Sequence, residues 1–356
     1  MRFSSATFST FTQSNEPWGN LIYLAGNATQ RQVNFRAIAM VNVGLSVPSS
    51  GTATINDTAA DTSIGQNVTG SMTVNVKGTT LPFNAYHSLG AMVCNVGNNG
   101  SVQAIHAPIG FHSTSFFTLN VDDSADATGR VASMNETKIS GLAPGDIFYT
   151  AAITLNITGG SGGNTFTVTN TPPGAFGSPS AMTINSGGGN DAVNVLAANA
   201  NGKGPIAVNG GNGNDSVAIG NGVASAILSG VTVNGQAGND TIAVNNLEAF
   251  PLTGSSGVSN MTADGGTGND TLIVNNSANT FAGADGRSYY GVNDGHGRHQ
   301  RQPNRAEARC EQGFRCHHRE YRSARHARAG HGQKGHLHQT LRPSECGGRM
   351  ALSYRA

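Results

Sequence analysis

Four aspartates carry the chemistry that the chain offers most plainly. Asp191, Asp215, Asp240 and Asp270 each close a glycine-rich phrase: "SGGGNDAVNV" (186–195), "GGNGNDSVAI" (210–219), "GQAGNDTIAV" (235–244) and "GGTGNDTLIV" (265–274). A looser copy, "GGSGGNTFTV" (159–168), places Asn164 where the acid stands, so the steps along the series are 27, 24, 25 and 30 residues. Repeats stacked ~4.8 Å apart would set the four carboxylates in a column of like charges. Each neighbouring pair would repel by about 1 kcal/mol in water and by several at reduced dielectric. A cation between the rungs removes that penalty. Oxygen ligands with no nearby His or thiolate select Ca²⁺ over zinc or copper. The competing reading is that each Asp caps its own turn in full solvent.

A second group lies upstream: His87, His106, His112, Asp122 and Asp123. A His with a nearby carboxylate and a calcium-polarised carbonyl could hydrolyse an ester or lactone. His106, His112, Asp122 and Asp123 are therefore the candidate catalytic residues of an alternative reading, a Ca²⁺-dependent extracellular hydrolase of glycans, esters or lactones. No motif ties them together, and "GFHST" (110–114) lacks the G-x-S-x-G elbow. Solvated surface is the competing reading for each His, and "DDS" (122–124) reads as the start of a turn. A lyase on the repeats is disfavoured, because the only Lys or Arg between Ile139 and Gly286 is Lys203 and there is no His. Glycoside hydrolysis needs paired acids of unequal pKa, which identical stacked aspartates do not provide.

These residues are positioned by short alternating strands. Before each turn stands "ITLN" (153–156), "MTIN" (182–185), "IAVN" (206–209), "VTVN" (231–234) or "MTAD" (261–264). Period-2 alternation buries one face. Ile153 and Leu155, Met182 and Ile184, Ile206 and Val208, Val231 and Val233 point inward ahead of the turns. Phe166 and Val168, Val193 and Val195, Val217 and Ile219, Ile242 and Val244, Leu272 and Val274 do so after them. β-Branched alternation bounded by glycine is hostile to helix. One coil cannot bury enough to offset its ordering entropy, so coils must stack. The expected fold is all-β, a right-handed parallel β-helix or β-solenoid with coils of ~24–30 residues. Asn190, Asn214, Asn239 and Asn269 would then form one column, and Asn156, Asn185, Asn209 and Asn234 another, with hydrogen bonds along each.

"GGNGNDSVA" and "GGTGNDTLI" resemble the calcium-binding nonapeptide G-G-x-G-x-D-x-U-x of the repeats-in-toxin (hemolysin-type) proteins. That likeness implies metal-ligand roles for Asp215 and Asp270. Asp191 and Asp240 match less fully, since Ser186 and Gln236 replace turn glycines. The toxin repeats run in tandem every nine residues, whereas these occur once per coil. "FTLNVDDSADATGRV" (117–131), "KISGLAPGDIFYTAAITLNITGGSGGNTFTV" (138–168) and "CNVGNNGSVQAI" (94–105) resemble the Gly/Asn/Thr-rich repeat module of planctomycete-type secreted proteins. An eroded copy stands at 52–70, and the likeness covers residues 50–294. It implies an extracellular or surface-displayed, adhesin-like array, whose partners would be cell-surface or extracellular polysaccharide.

Composition divides the chain. Charged residues are 12% and aromatics 6%, against 49 glycines in 356 residues, which suits many tight turns rather than one large core. The formal net charge of +1 combines an acidic 1–294 with a basic 295–356 that has no Val or Ile and 8 of the 11 histidines. Four segments follow: an uncertain 1–50, a degenerate β repeat module at 51–150, the repeat solenoid at 151–294, and a basic tail at 295–356 expected to be disordered or frameshifted. "CEQGFRCHH" (310–318) lacks zinc-finger spacing, and only this tail could attract nucleic acid. No 18-residue apolar run suggests a membrane span. Nor does the N-terminus read as a signal peptide. A monomer is expected.

Overall fold

The alternating runs form strands throughout, and the strands assemble into two long sheets. The computed structural model describes most of residues 51–275, apart from short stretches that include 175–178, 199–203, 221–226 and 246–260. Outside that range it describes strand segments only. Among the described residues there is no helix. Fifteen strands are described in each sheet, and consecutive strands alternate between the two through the repeat region.

In the repeats, one sheet is built from Thr154–Thr158, Ala181–Asn185, Ile206–Asn212, Val231–Ala237 and Met261–Asp264. The other takes Thr165–Val168, Ala192–Val195, Ser216–Ile219, Thr241–Asn245 and Thr271–Asn275. All these neighbours pair in parallel. The glycine phrase is the corner between a strand of the first sheet and the next strand of the second. Met182, Ile184, Ile206, Val208, Val217, Ile219, Val231, Val233, Ile242 and Val244 are all buried, as their alternation requires. The burial of Ile153 and Val274 lies outside the described residues.

The stack continues upstream without a break. Met72–Val76, Met92–Val96 and Phe117–Asp122 extend the first sheet, and Phe83–His87 and Ile109–Ser113 extend the second. Here the core holds the bulky Phe83, Phe111, Phe117 and Tyr149. One coil is longer. Between Phe117–Asp122 and Thr154–Thr158 the second sheet receives three strands, Val131–Met134, Lys138–Ser140 and Ile147–Tyr149, as an antiparallel meander.

One expectation needs correction. Asn156 does not stand beside Asn185: it pairs with Thr183, and Thr158 pairs with Asn185. Slipping a strand by two residues leaves every aliphatic pointing inward, so the hydrophobic pattern alone cannot fix that register. Strand segments are also described within the basic tail, among them Ala306–Glu311 and Arg315–Glu320, which pair antiparallel. Ala306–Glu311 adds antiparallel to Thr271–Asn275. The open edge of a parallel stack offers unpaired backbone groups to any extended segment, apolar or not.

Candidate functional site

Each corner is tight because glycine lets it be. Gly213 has φ 129°, and a β-carbon there would run into the carbonyl oxygen of Gly189 in the preceding coil. Coils can therefore approach backbone to backbone at this edge. Gln236 takes the place of a turn glycine, opposite Gly211, and holds a left-handed φ of 76°, a cost of roughly 1–2 kcal/mol for a residue with a β-carbon.

The Asn-Asp pair that ends the phrase links the coils in opposite directions. The Asn side chains reach forward: Asn190 Oδ1 accepts the Asn214 N–H at 2.8 Å, Asn214 Oδ1 that of Asn239 at 2.7 Å, and Asn239 Oδ1 that of Asn269 at 2.7 Å. The Asp side chains reach back. Asp191 Oδ1 accepts the Asn164 N–H at 2.6 Å, Asp215 Oδ1 that of Asp191 at 2.8 Å, Asp240 Oδ1 that of Asp215 at 2.8 Å, and Asp270 Oδ1 that of Asp240 at 3.0 Å. The column expected from the repeats is thus present. The reading of each Asp as a solvated cap of its own turn is overturned: the four are 2–3% exposed and cap the neighbouring coil. Solvent exposure failed as a reading because the carboxylates turn inward, those of Asp215, Asp240 and Asp270 into space left by Gly210, Gly235 and Gly265.

The second carboxylate oxygens are the anomaly. Oδ2 of Asp191, Asp215 and Asp240 is buried with no hydrogen-bond partner. Asp215 Oδ2 crowds the point where a β-carbon on Gly210 would stand, and Gly235 O of the next coil lies 2.7 Å from that point. Asp240 Oδ2 and Gly265 O crowd Gly235 in the same way. Two acceptors thus share a dry corner. Burial, together with the neighbouring carboxylates, pushes Asp191 and Asp240 up to about 6, and burial raises Asp215 as well.

Other corners of the same stack show what satisfaction looks like. Asn164, in the same column, accepts the Arg130 N–H through Oδ1 at 2.9 Å and donates Nδ2 to Ser186 O at 2.9 Å. Asp123 is fully buried and faces Val102 N–H at 3.0 Å through Oδ1, with the Gln103 amide 3.2 Å from Oδ2. Among the described residues, the buried carboxylate oxygens without a donor are Oδ2 of Asp191, Asp215 and Asp240. An orphaned carboxylate oxygen beside a turn carbonyl is an all-oxygen set, which suits a hard cation such as Ca²⁺. Among the described residues no three His, Cys, Asp or Glu converge on one point, so further ligands would come from turn carbonyls.

Asparagines hold the outer face of the first sheet. Asn95 Nδ2 donates to Asn75 Oδ1, Asn120 to Asn95 and Asn156 to Asn120, each at 2.8 Å. A second ladder runs Asn234 to Asn209 to Asn185 at 2.7 Å. The first ladder's members at 75, 95 and 120 escape a reading tied to the glycine phrase, though the spaced T-x-N and C-N-V strings were the available signal.

The candidate hydrolytic residues are not assembled. His106 is exposed in a loop. His112 lies on the outer face of the second sheet, stacked on Tyr86 at 4.7 Å between ring centroids and 3.3 Å from Asn84 Oδ1. Asp122 ends a strand of the first sheet, exposed, and its Oδ1 accepts the Ser124 N–H at 3.1 Å, as a turn-starting Asp should. Asp123 does not start a turn in solvent; its carboxylate faces the interior because the side-chain period sends it there. Compared with protein-family models, curated proteins and solved structures, the chain matches none.

Proposed function

We propose that the chain is a calcium-stabilised extracellular β-solenoid segment of a surface or adhesin-like protein, its parallel sheets closed as a right-handed coil. The observation that carries the calcium is the donorless Oδ2 of Asp215 and Asp240, each set against a carbonyl of the next coil. Asp191 and Asp270 extend the same column. A divalent cation there would offset the burial of the carboxylates and their mutual repulsion at once. All-oxygen sites that take Ca²⁺ weakly, at about 10⁻⁴–10⁻³ M, are suited to extracellular concentrations of the ion. The outer faces, lined by Asn ladders and half-buried Thr, suit hydrogen bonding to surface polysaccharide.

Thermal melts followed at the β-sheet band test the reading. Ca²⁺ at 100 times its Kd adds about 2.7 kcal/mol to a folded state that alone binds it. A melt raised by millimolar Ca²⁺ over EDTA is expected. Identical melts in the two conditions would remove calcium from the account.

A further inference from the structure

The donors already built into the corners divide the stack in two. In the coil that carries Asn164, the amide Nδ2 supplies hydrogen to Ser186 O. In the next coil Ser186 stands where later coils have Gly210, Gly235 and Gly265, and its hydroxyl donates to Gly210 O at 2.6 Å. That carbonyl is the counterpart of Gly235 O and Gly265 O one and two coils on, since Asn209 pairs with Asn234 and Asn234 with Asp264. Upstream, Gln103 serves Asp123. Beyond Ser186 no side chain supplies such a hydrogen at the corners of Asp215 and Asp240. The core changes at the same place: among the described residues no buried aromatic follows Phe166, and the later coils pack on Val, Ile, Met, Ala and Leu. Upstream coils bury Phe83, Phe111, Phe117, Tyr149 and Phe166, large apolar surfaces that stabilise without help.

We infer that the metal requirement is confined to the coils from Ile206 onward, while the stack from Met72 to Val168 holds itself, so that the ion orders one half of the solenoid against a permanently folded other half. This rests on the calcium reading and adds where the ion acts. Two sites follow, one between the corners of Asp215 and Asp240 and one between those of Asp240 and Asp270. The corner of Asp191 is assigned none: its Oδ2 has no partner, but the Ser186 hydroxyl already serves the Gly210 carbonyl, so the second oxygen of such a site is taken.

Hydrogen–deuterium exchange on the full chain at neutral pH, in millimolar Ca²⁺ and then in EDTA, tests it. Amides of 206–245 and 261–275 should exchange up to about a hundredfold faster in EDTA if the ion is present at 100 times its Kd. Amides of 72–168 should change by less than about twofold, no more than a few tenths of a kcal/mol in local stability. The double variant Asp215→Asn/Asp240→Asn should keep the later coils protected in EDTA and lose their response to Ca²⁺, because each new amide would donate as Asn164 does. Protection lost evenly along the stack would overturn the division while leaving calcium standing. No response to Ca²⁺ anywhere in the unmutated chain would overturn the calcium reading itself. Should the double variant fail to fold, the exchange map of the unmutated chain still decides.

Discussion

Without metal, the stability of this protein should fall as the pH rises from about 4 to about 6. Burial raises Asp191 and Asp240 from 3.8 to about 6 in the folded chain, and Asp215 in the same direction. Between those values the folded state holds protons that the unfolded state has released, so unfolding loses them and stability declines with pH. The protonated form is the favoured one in the fold: its O–H can donate from Oδ2 to the facing carbonyl, as the Asn164 amide does. The stabilisation is complete below the unfolded value and lost above about 6. A shift of two units corresponds to at most about 3 kcal/mol per carboxyl, and coupling along the column makes the sum less than additive. A total of roughly 2–5 kcal/mol is a reasonable span, or about 5–20 °C in Tm at about 2–4 °C per kcal/mol for a chain of this size. Circular-dichroism melts in EDTA at pH 4.5, 5.5, 6.5 and 7.5 read it directly. Melts that rise with pH across this window would show the carboxylates ionised and satisfied in the fold, and the reasoning from orphaned oxygens would fail.

Other perturbations probe the same architecture. Gln236→Gly should raise stability by about 1 kcal/mol, because glycine takes the left-handed φ of 76° at no steric cost; an unchanged denaturation midpoint would mean that the strain is absorbed elsewhere. Asn120→Ala removes a side chain that both donates to Asn95 and accepts from Asn156. It should cost about 1–3 kcal/mol in urea unfolding, more than the same change at a ladder end such as Asn75. Asp123→Ala strips the acceptor from the buried Val102 N–H and should cost about 1–3 kcal/mol, whereas His106→Ala on the surface should stay within about 0.5 kcal/mol. A purified hydrolytic activity abolished by His106→Ala with an unchanged melt would revive the enzyme reading.

The alternation of small polar and aliphatic residues made the strands, the buried faces and the aspartate column legible before any coordinate. Val217 and Ile219 face the core for the reason their spacing states, and Asp191, Asp215, Asp240 and Asp270 stack because the glycine phrase recurs once per coil. Three things were hidden. Register in units of two residues leaves the hydrophobic code unchanged, so Asn156 could be assigned to the wrong ladder. The inward turn of the aspartates depends on the missing side chains of Gly210, Gly235 and Gly265, a negative feature in the text of the chain. The role of Asp123 depends on Gln103, twenty residues upstream in another coil, and no local pattern announces such a pair.

Asn164 and the four aspartates together define what the column is for. An amide at this position satisfies both its own oxygen and the facing carbonyl, as Asn164 does, and the neighbouring Asn residues of each phrase show that amides fit the corner geometry. A column of five amides would be stable without regard to pH or ions. Carboxylates at 191, 215 and 240 keep the backward link through Oδ1 but leave Oδ2 without a donor, a lack that a proton or a cation would offset. On the calcium proposal the cation acts where protons do not, since Asp240, pushed up to about 6, is mostly ionised at neutral pH. On that proposal, acids in place of amides would make the rigidity of the later coils conditional on the ion.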